Sequence, residues 1–464
     1  MSGLPAAKIE IVRTLVQTAP DKVVGGLQAA LAATADDDSA LAGVRRLVEA
    51  EAADRRLRNT ILSPVVPLFV ADRRGGSDLR FPPRALSLIW RALKVEAPHQ
   101  IHRAQQILLD YRPDETSPEP FDEIVRRAAD GLRSGGSREY QAVIDCLEQG
   151  APGGASLLLS CLGLSPIIRT ASYRLPEWTA RITGERAAAA RVAYRDAAAM
   201  GDDAGPRFFE MLAAHMPQPW MVLRIISAVM DHPTEHYLAG SELAFFAERM
   251  MDAVDEQLRQ VAKFDLDAGP KAGREAAAVV ESLTQQIAEL ENGVELTPTG
   301  AWGGRIARQR KTLAATVEGR MREVEKVLAA ALPGQPIKVG RGFKTVPRLT
   351  AEPNAEAAQR AFSLLAFIEA TRGGANYGGF ASTRTKVIES VGETLDTYVE
   401  DVLHAIRTYE VEDRELAGRH LQVAARCAAL IREPRAGDVI RRRTAAALAA
   451  EKVEESDEMA DRYI

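Results

Sequence analysis

Residues 271–332 read KAGREAAAVVESLTQQIAELENGVELTPTGAWGGRIARQRKTLAATVEGRMREVEKVLAAAL. Val280, Leu283, Ile287 and Leu290 fall at 3-4-3 spacing, which is one stripe of an α-helix. Asn292-Gly293 offers a left-handed stop, and Pro298 and Gly300 keep that helix from resuming. After Gly303-Gly304 a second stripe runs through Ile306, Leu313, Val317, Met321, Val324 and Leu328, until Pro333-Gly334. Two apolar stripes joined by a breaker-rich loop predict an antiparallel pair, each stripe buried on the other or on a third helix.

The same helical period recurs in nearly every segment between Gly/Pro breakers, so the fold class expected is all-α. The organisation predicted is a helical region over 1–110, a helical array over 121–200 and a bundle with the long hairpin over 206–332. A basic Gly/Pro-rich linker follows at 333–353, with room for a short strand around 336–346, then a long-helix bundle over 354–450 and a frayed acidic tail at 451–464. Short helices with Gly-marked turns before residue 200 suit an antiparallel, α-solenoid-like array, although no residue signature repeats at 30–50-residue spacing. The main boundary is read at GDDAGP, 201–206.

A chain of 464 residues exceeds one ordinary core. Its 46% hydrophobic content rules out wholesale disorder, and its 5% aromatic content with abundant Ala favours thin helix arrays over thick cores. Three cysteines without a CxxC predict no disulfide framework and no zinc knuckle, which suits a reducing cytoplasm. Met1–Pro20 carries no secretory pattern. The uncharged run Gln149–Ile168 is broken by Pro152, Gly153-Gly154, Gly163 and Pro166, so it reads as a buried helix and no transmembrane segment is expected.

Charge is concentrated after residue 305. Arg305, Arg308, Arg310, Lys311, Arg320, Arg322, Lys326, Lys338, Arg341, Lys344 and Arg348 face only Glu318, Glu323 and Glu325, a local +8 in a chain of net −5. Such a segment can steer an anionic partner, whether membrane or nucleic acid, or it can pair with acidic parts of its own chain, the tail included. Only Trp302 and Phe343 accompany it, too few aromatics for a single-strand stacking platform.

The clearest heptad-like pattern is Ile388, Val391, Leu395, Tyr398, Val402, Ala405 and Tyr409, a helix-pairing seam within the chain or between two copies. His232-Pro-Thr-Glu235-His236 matches the letters HxxEH of an inverted zinc-peptidase motif. Pro233, however, suits a first helical turn opened near Asp231, which removes His232 from the face of His236. Gly373-Gly374-Ala-Asn-Tyr-Gly378-Gly379, before a helix starting with Ser382, Thr383, Arg384, Thr385 and Lys386, is either an anion cradle or a sharp turn, the turn being the expected role. No cofactor motif, complete metal set or catalytic triad is assigned. The function expected is a non-enzymatic helical scaffold or adaptor for protein partners, with homo-oligomerisation through 388–409. The alternatives are binding of an anionic surface through 305–348, and a zinc hydrolase at His232, Glu235 and His236.

Overall fold

The computed structural model describes residues 6–33, 39–71, 79–108, 110–113, 116–180, 182, 184–230, 232–339 and 342–461. It is an all-α protein with one two-stranded sheet among the described residues. The chain divides into two compact units, Met1–His232 and Pro233–Ile464. The division falls later than 201–206, because the helix after GDDAGP packs back on the two helices before it.

The first unit holds α1 (Ala6–Thr18), α2 (Asp21–Ala32), α3 (Ser39–Ile61), α4 (Pro83–Glu96), α5 (Pro98–Leu108), α6 (Glu119–Ser134), α7 (Arg138–Gly150), α8 (Gly154–Ala180), α9 (Gly184–Ala198), α10 (Ala204–Ala214) and α11 (Val222–Val229). Helix α8 runs on well past Ile168, through both Pro166 and Pro176. An internal proline costs a helix about 3 kcal/mol. Leu158, Leu162, Leu164, Ile168, Leu175 and Trp178 are all buried along α8, at roughly 1.5–3 kcal/mol for each large apolar side chain, and that offsets the penalty. By length and composition α8 passes as a membrane span, but it is packed against α6, α7, α9 and α10 as a core helix.

The second unit holds α12 (Glu235–Ala239), α13 (Ala244–Ala262), α14 (Pro270–Gly293), α15 (Ala301–Ala331), β1 (Gly334–Val339), β2 (Gly342–Pro347), α16 (Ala355–Ala370), α17 (Ala375–Gly378), α18 (Ala381–Arg407), α19 (Arg414–Ile431) and α20 (Pro434–Asp461). The hairpin α14–α15 is present, but its two helices meet mainly through a third. Helix α16 is buried on every side from Ala361 to Ile368 and fills the space between α14 and α15. The close α14–α16 crossing depends on Gly273, where an added Cβ would lie 2.1 Å from the Ser363 carbonyl oxygen. Segment 333–353 carries the β1–β2 hairpin. Helix α20 continues to Asp461 where a frayed tail from 451 is expected, since no Gly or Pro follows Gly437 and the Ala-, Glu- and Lys-rich residues there are good helix formers.

Arginines from neighbouring helices close many of the helix C-termini. Arg55 on α3 donates to the Val16, Gln17 and Ala19 carbonyls at the end of α1. Arg169 on α8 donates to the Thr60 and Ile61 carbonyls ending α3, and Arg384 on α18 to the Ile368 and Glu369 carbonyls ending α16. Arg191 reaches Ala228 on α11, and Arg320 reaches Ala262 on α13. The last carbonyls of a helix lack intrahelical donors and carry the negative end of its dipole, so a forked cation satisfies both needs.

Candidate functional site

The basic residues after 305 are drawn into the second unit more than their run in sequence suggests. Arg305 pairs with Asp252 at 2.6 Å and Asp255 at 2.5 Å on α13. Arg310 lies 3.7 Å from Glu291 and stacks over the Tyr377 ring. Arg320 stacks over Phe264 and pairs with Glu323, Arg322 pairs with Glu318, and Lys344 reaches Asp401 on α18 at 3.0 Å. Arg308, Lys311, Lys326, Lys338 and Arg348 make no ion pair among the described residues, and Arg341 lies outside them. Intramolecular partners thus come from α13, α14 and α18 as well as from α15 itself.

The 388–409 seam is spent inside the unit. Val391, Leu395, Tyr398 and Val402 are buried on α18, which packs against α15, α19 and α20. Ile388 is half-buried, and Tyr409 lies beyond the helix end, exposed and with φ of 56°. The buried face is broader than a two-residue heptad seam, because Val387, Val399, Leu403 and Ile406 share it. These positions hold the chain's own helices together and offer no free stripe to a second copy.

The HxxEH letters resolve into a helix cap. Helix α12 starts at Glu235 with Thr234 as its cap, whose hydroxyl accepts from Tyr237 N–H, so neither His232 nor Pro233 is helical. The Glu235 carboxylate accepts from Trp302 N–H (2.8 Å), Thr297 N–H (3.1 Å), the Thr297 hydroxyl (3.2 Å) and Gly303 N–H (3.3 Å). It therefore caps α15 from outside. Burial alone would raise its pKa, but these donors outweigh burial and hold it below the ordinary 4.5. Both oxygens of this carboxylate are thus engaged by donors of the chain itself, three of them on Oε2. Among the described residues no group of three or more His, Cys, Asp or Glu is placed to hold a metal ion.

The glycine loop at 373–380 is a turn. Gly379 has φ of 80°, Phe380 is fully buried behind it, and Gly373 and Gly374 lie against Glu281 and Thr284 of α14. In the first turn of α18 the Thr383 hydroxyl donates to Glu318 at 2.8 Å, which puts a carboxylate where an anion cradle would need space.

Among the described residues there are several open grooves, and two of them bear on binding. One, of about 1240 Å³, lies in the first unit beside Arg169 and Lys94. Two of its cations are engaged within the unit: Arg169 donates to Ser117, Ser63 and two carbonyls, and Lys94 pairs with Asp54, while Arg56 is exposed on its wall. The other, of about 680 Å³, lies between α15, α18 and the β1–β2 hairpin. Leu328, Leu332, Val391 and Tyr398 form its apolar floor. The Tyr398 hydroxyl is 3.2 Å from His420 Nδ1, while His420 Nε2 is 2.9 Å from the Ala351 carbonyl. A carbonyl only accepts, so Nε2 carries the proton and Nδ1 accepts from Tyr398.

The hairpin beside this groove pairs Ile337 with Lys344 and Lys338 with Phe343, and Arg348 N–H donates to the Pro333 carbonyl at its base. Phe343 is 79% exposed and Ile337 40%. Pro336 and Lys338 on β1 are residue types that blunt a strand edge against addition of another strand. The sequence signal for this element is weak, a brief alternation around Ile337 and Phe343 among glycines and prolines. No protein-family model, no curated protein and no solved structure matches the chain.

Proposed function

We propose that this chain is a non-enzymatic helical scaffold whose second unit captures a protein partner at the β1–β2 hairpin and the groove beside it. One observation carries the reading. In an otherwise helical molecule the single described sheet presents an aromatic side chain to solvent, next to a groove with an apolar floor. A large apolar residue this exposed on a short, separately paired element is a recognition feature more than a folding one. The 388–409 face that would otherwise suggest helix-mediated assembly is largely buried in the unit's own core, which favours the hairpin over that helix as the docking element. The three free cysteines, two of them fully buried, support a cytoplasmic setting.

The test places a photo-crosslinking phenylalanine analogue at Phe343, and separately at Tyr237, which is also exposed, in the full chain within source-cell extract. A discrete protein adduct at 343 that is missing at 237 is expected. Identical adducts at both positions, or none at 343, overturn the reading.

A further inference from the structure

We propose that the groove between α15, α18 and the hairpin receives a cationic peptide segment, with an apolar side chain seated on the Leu328–Val391–Tyr398 floor and Lys or Arg at its flanks. The inference rests on the scaffold reading and deepens it by naming the partner's chemistry.

Every charged residue lining the groove is acidic: Glu325 from α15, and Glu393 and Asp401 from α18. Glu325 and Glu393 are exposed, and among the described residues the carboxylate of Glu325 has only the Ser390 hydroxyl as a donor, at 3.3 Å. Among the same residues Asp401 is the one of the three with a cation, Lys344. The remaining polar liners are hydroxyls on α18 and β2, Ser390, Thr394, Thr397 and Thr345, which accept as readily as they donate. An apolar floor with an acidic rim is complementary to an apolar anchor between cations, and it disfavours an anionic ligand by like-charge repulsion. This inverts the expectation from sequence, where the surrounding 305–348 run is strongly basic. Arg305, Arg310 and Arg320 are turned to α13 and α14, while Glu325, Glu393 and Asp401 line the groove.

The probes are fluorescent twelve-residue peptides with one Leu or Phe flanked by Lys and Arg, matched peptides with Asp and Glu flanks, and vesicles containing anionic phospholipid. Each is titrated against the full chain by anisotropy or co-sedimentation. The cationic peptides are expected to bind at least about tenfold tighter than the acidic ones, with affinity falling as salt rises. The surface double variant Glu325→Lys/Glu393→Lys should lose at least about tenfold for cationic peptides and gain for acidic ones, whereas Glu248→Lys on α13 should change neither. A swap of preference in the double variant cannot come from misfolding. Equal binding of both peptide classes, indifference to the charge reversal, or retention of anionic vesicles in place of cationic peptides overturns the inference. If the 343-specific crosslink persists while the peptides fail, the groove chemistry falls and the hairpin reading stands. If the crosslink is also lost, both fall.

Discussion

Glu235 shows how a letter pattern and a physical role part company. As text it is the glutamate of HxxEH, but in the fold it satisfies the N–H groups of Trp302 and Gly303 that open α15. Its second signal lies far along the chain, in the glycines that make room for it. An added Cβ at Gly300 would lie 2.3 Å from both carboxylate oxygens, and one at Gly303 would lie 2.0 Å from the Thr297 carbonyl oxygen. Nothing in a one-dimensional reading links residues 235 and 300, so the motif is legible and its meaning is not. Glu235→Gln leaves buried donors facing an amide group and should cost about 2 kcal/mol, read as a drop of roughly 4–8 °C in the unfolding midpoint of a unit this size. The pH dependence has a definite sign. The native carboxyl is depressed below 4.5, so the unfolded chain binds the proton first on acidification. The stabilisation is therefore complete above 4.5 and disappears as pH falls through the native pKa. The mutant should lack this acid-side loss. A wild-type and a Gln variant with equal midpoints at neutral pH would contradict the capping role. In the first unit, His215 is held neutral by burial, partly countered by the Pro64 carbonyl, and its native pKa is below the ordinary 6.5. The unfolded chain takes that proton first as well, so this contribution declines as pH drops below 6.5, ahead of the loss at Glu235.

Among the elements, the helices are the legible part, because apolar spacing and Gly/Pro punctuation act locally. The stripes of α14 and α15 are buried at Val280, Leu283, Ile287, Leu290, Ile306, Leu313, Val317, Met321, Val324 and Leu328, as their spacing indicates. What their spacing does not contain is the identity of the third helix between them. The signal for α16 is its uninterrupted apolar run, LLAFI at 364–368, the mark of an element with no solvent face. The hairpin is harder still, since two six-residue strands rich in Gly and Pro carry little β-propensity. The α14–α16 contact makes a prediction at this scale. Gly273→Ala puts a methyl group into the Ser363 backbone and should destabilise the second unit by about 1–3 kcal/mol, although Ala is normally the better helix former. Alanine at Gly319, where nothing lies within 4 Å, should instead be neutral or slightly stabilising. Urea unfolding of the two variants decides the matter: if both shift the midpoint equally, propensity and not the helix crossing governs α14.

On the scale of the whole molecule, the division between His232 and Pro233 organises the remaining physics. Each unit has its own large buried side chains, Trp178, Phe121, Phe208 and Phe209 in the first, Phe367 and Phe380 in the second. Each also closes its helix ends with its own arginines, as Arg169 does for α3 and Arg384 for α16. A unit with its own core and its own caps meets the requirements of an independent domain. The boundary escapes a reading by composition because the breaker-rich GDDAGP stretch is the stronger sequence signal, and yet the helix after it returns to α8 and α9. Composition thus divides the chain where it turns, while the fold divides it where packing ends. Fragments 1–232 and 233–464, expressed separately, should each show helical circular dichroism and a cooperative thermal transition, and the second fragment alone should retain the 343-specific crosslink. A first unit cut at 200 should be the one fragment of the series that fails to fold, because removing α10 strips Phe208, Phe209, Met211 and Leu212 from the core it shares with α8 and α9. Cooperative unfolding of the 1–200 fragment with the midpoint of 1–232 would move the boundary back to the glycine-rich turn.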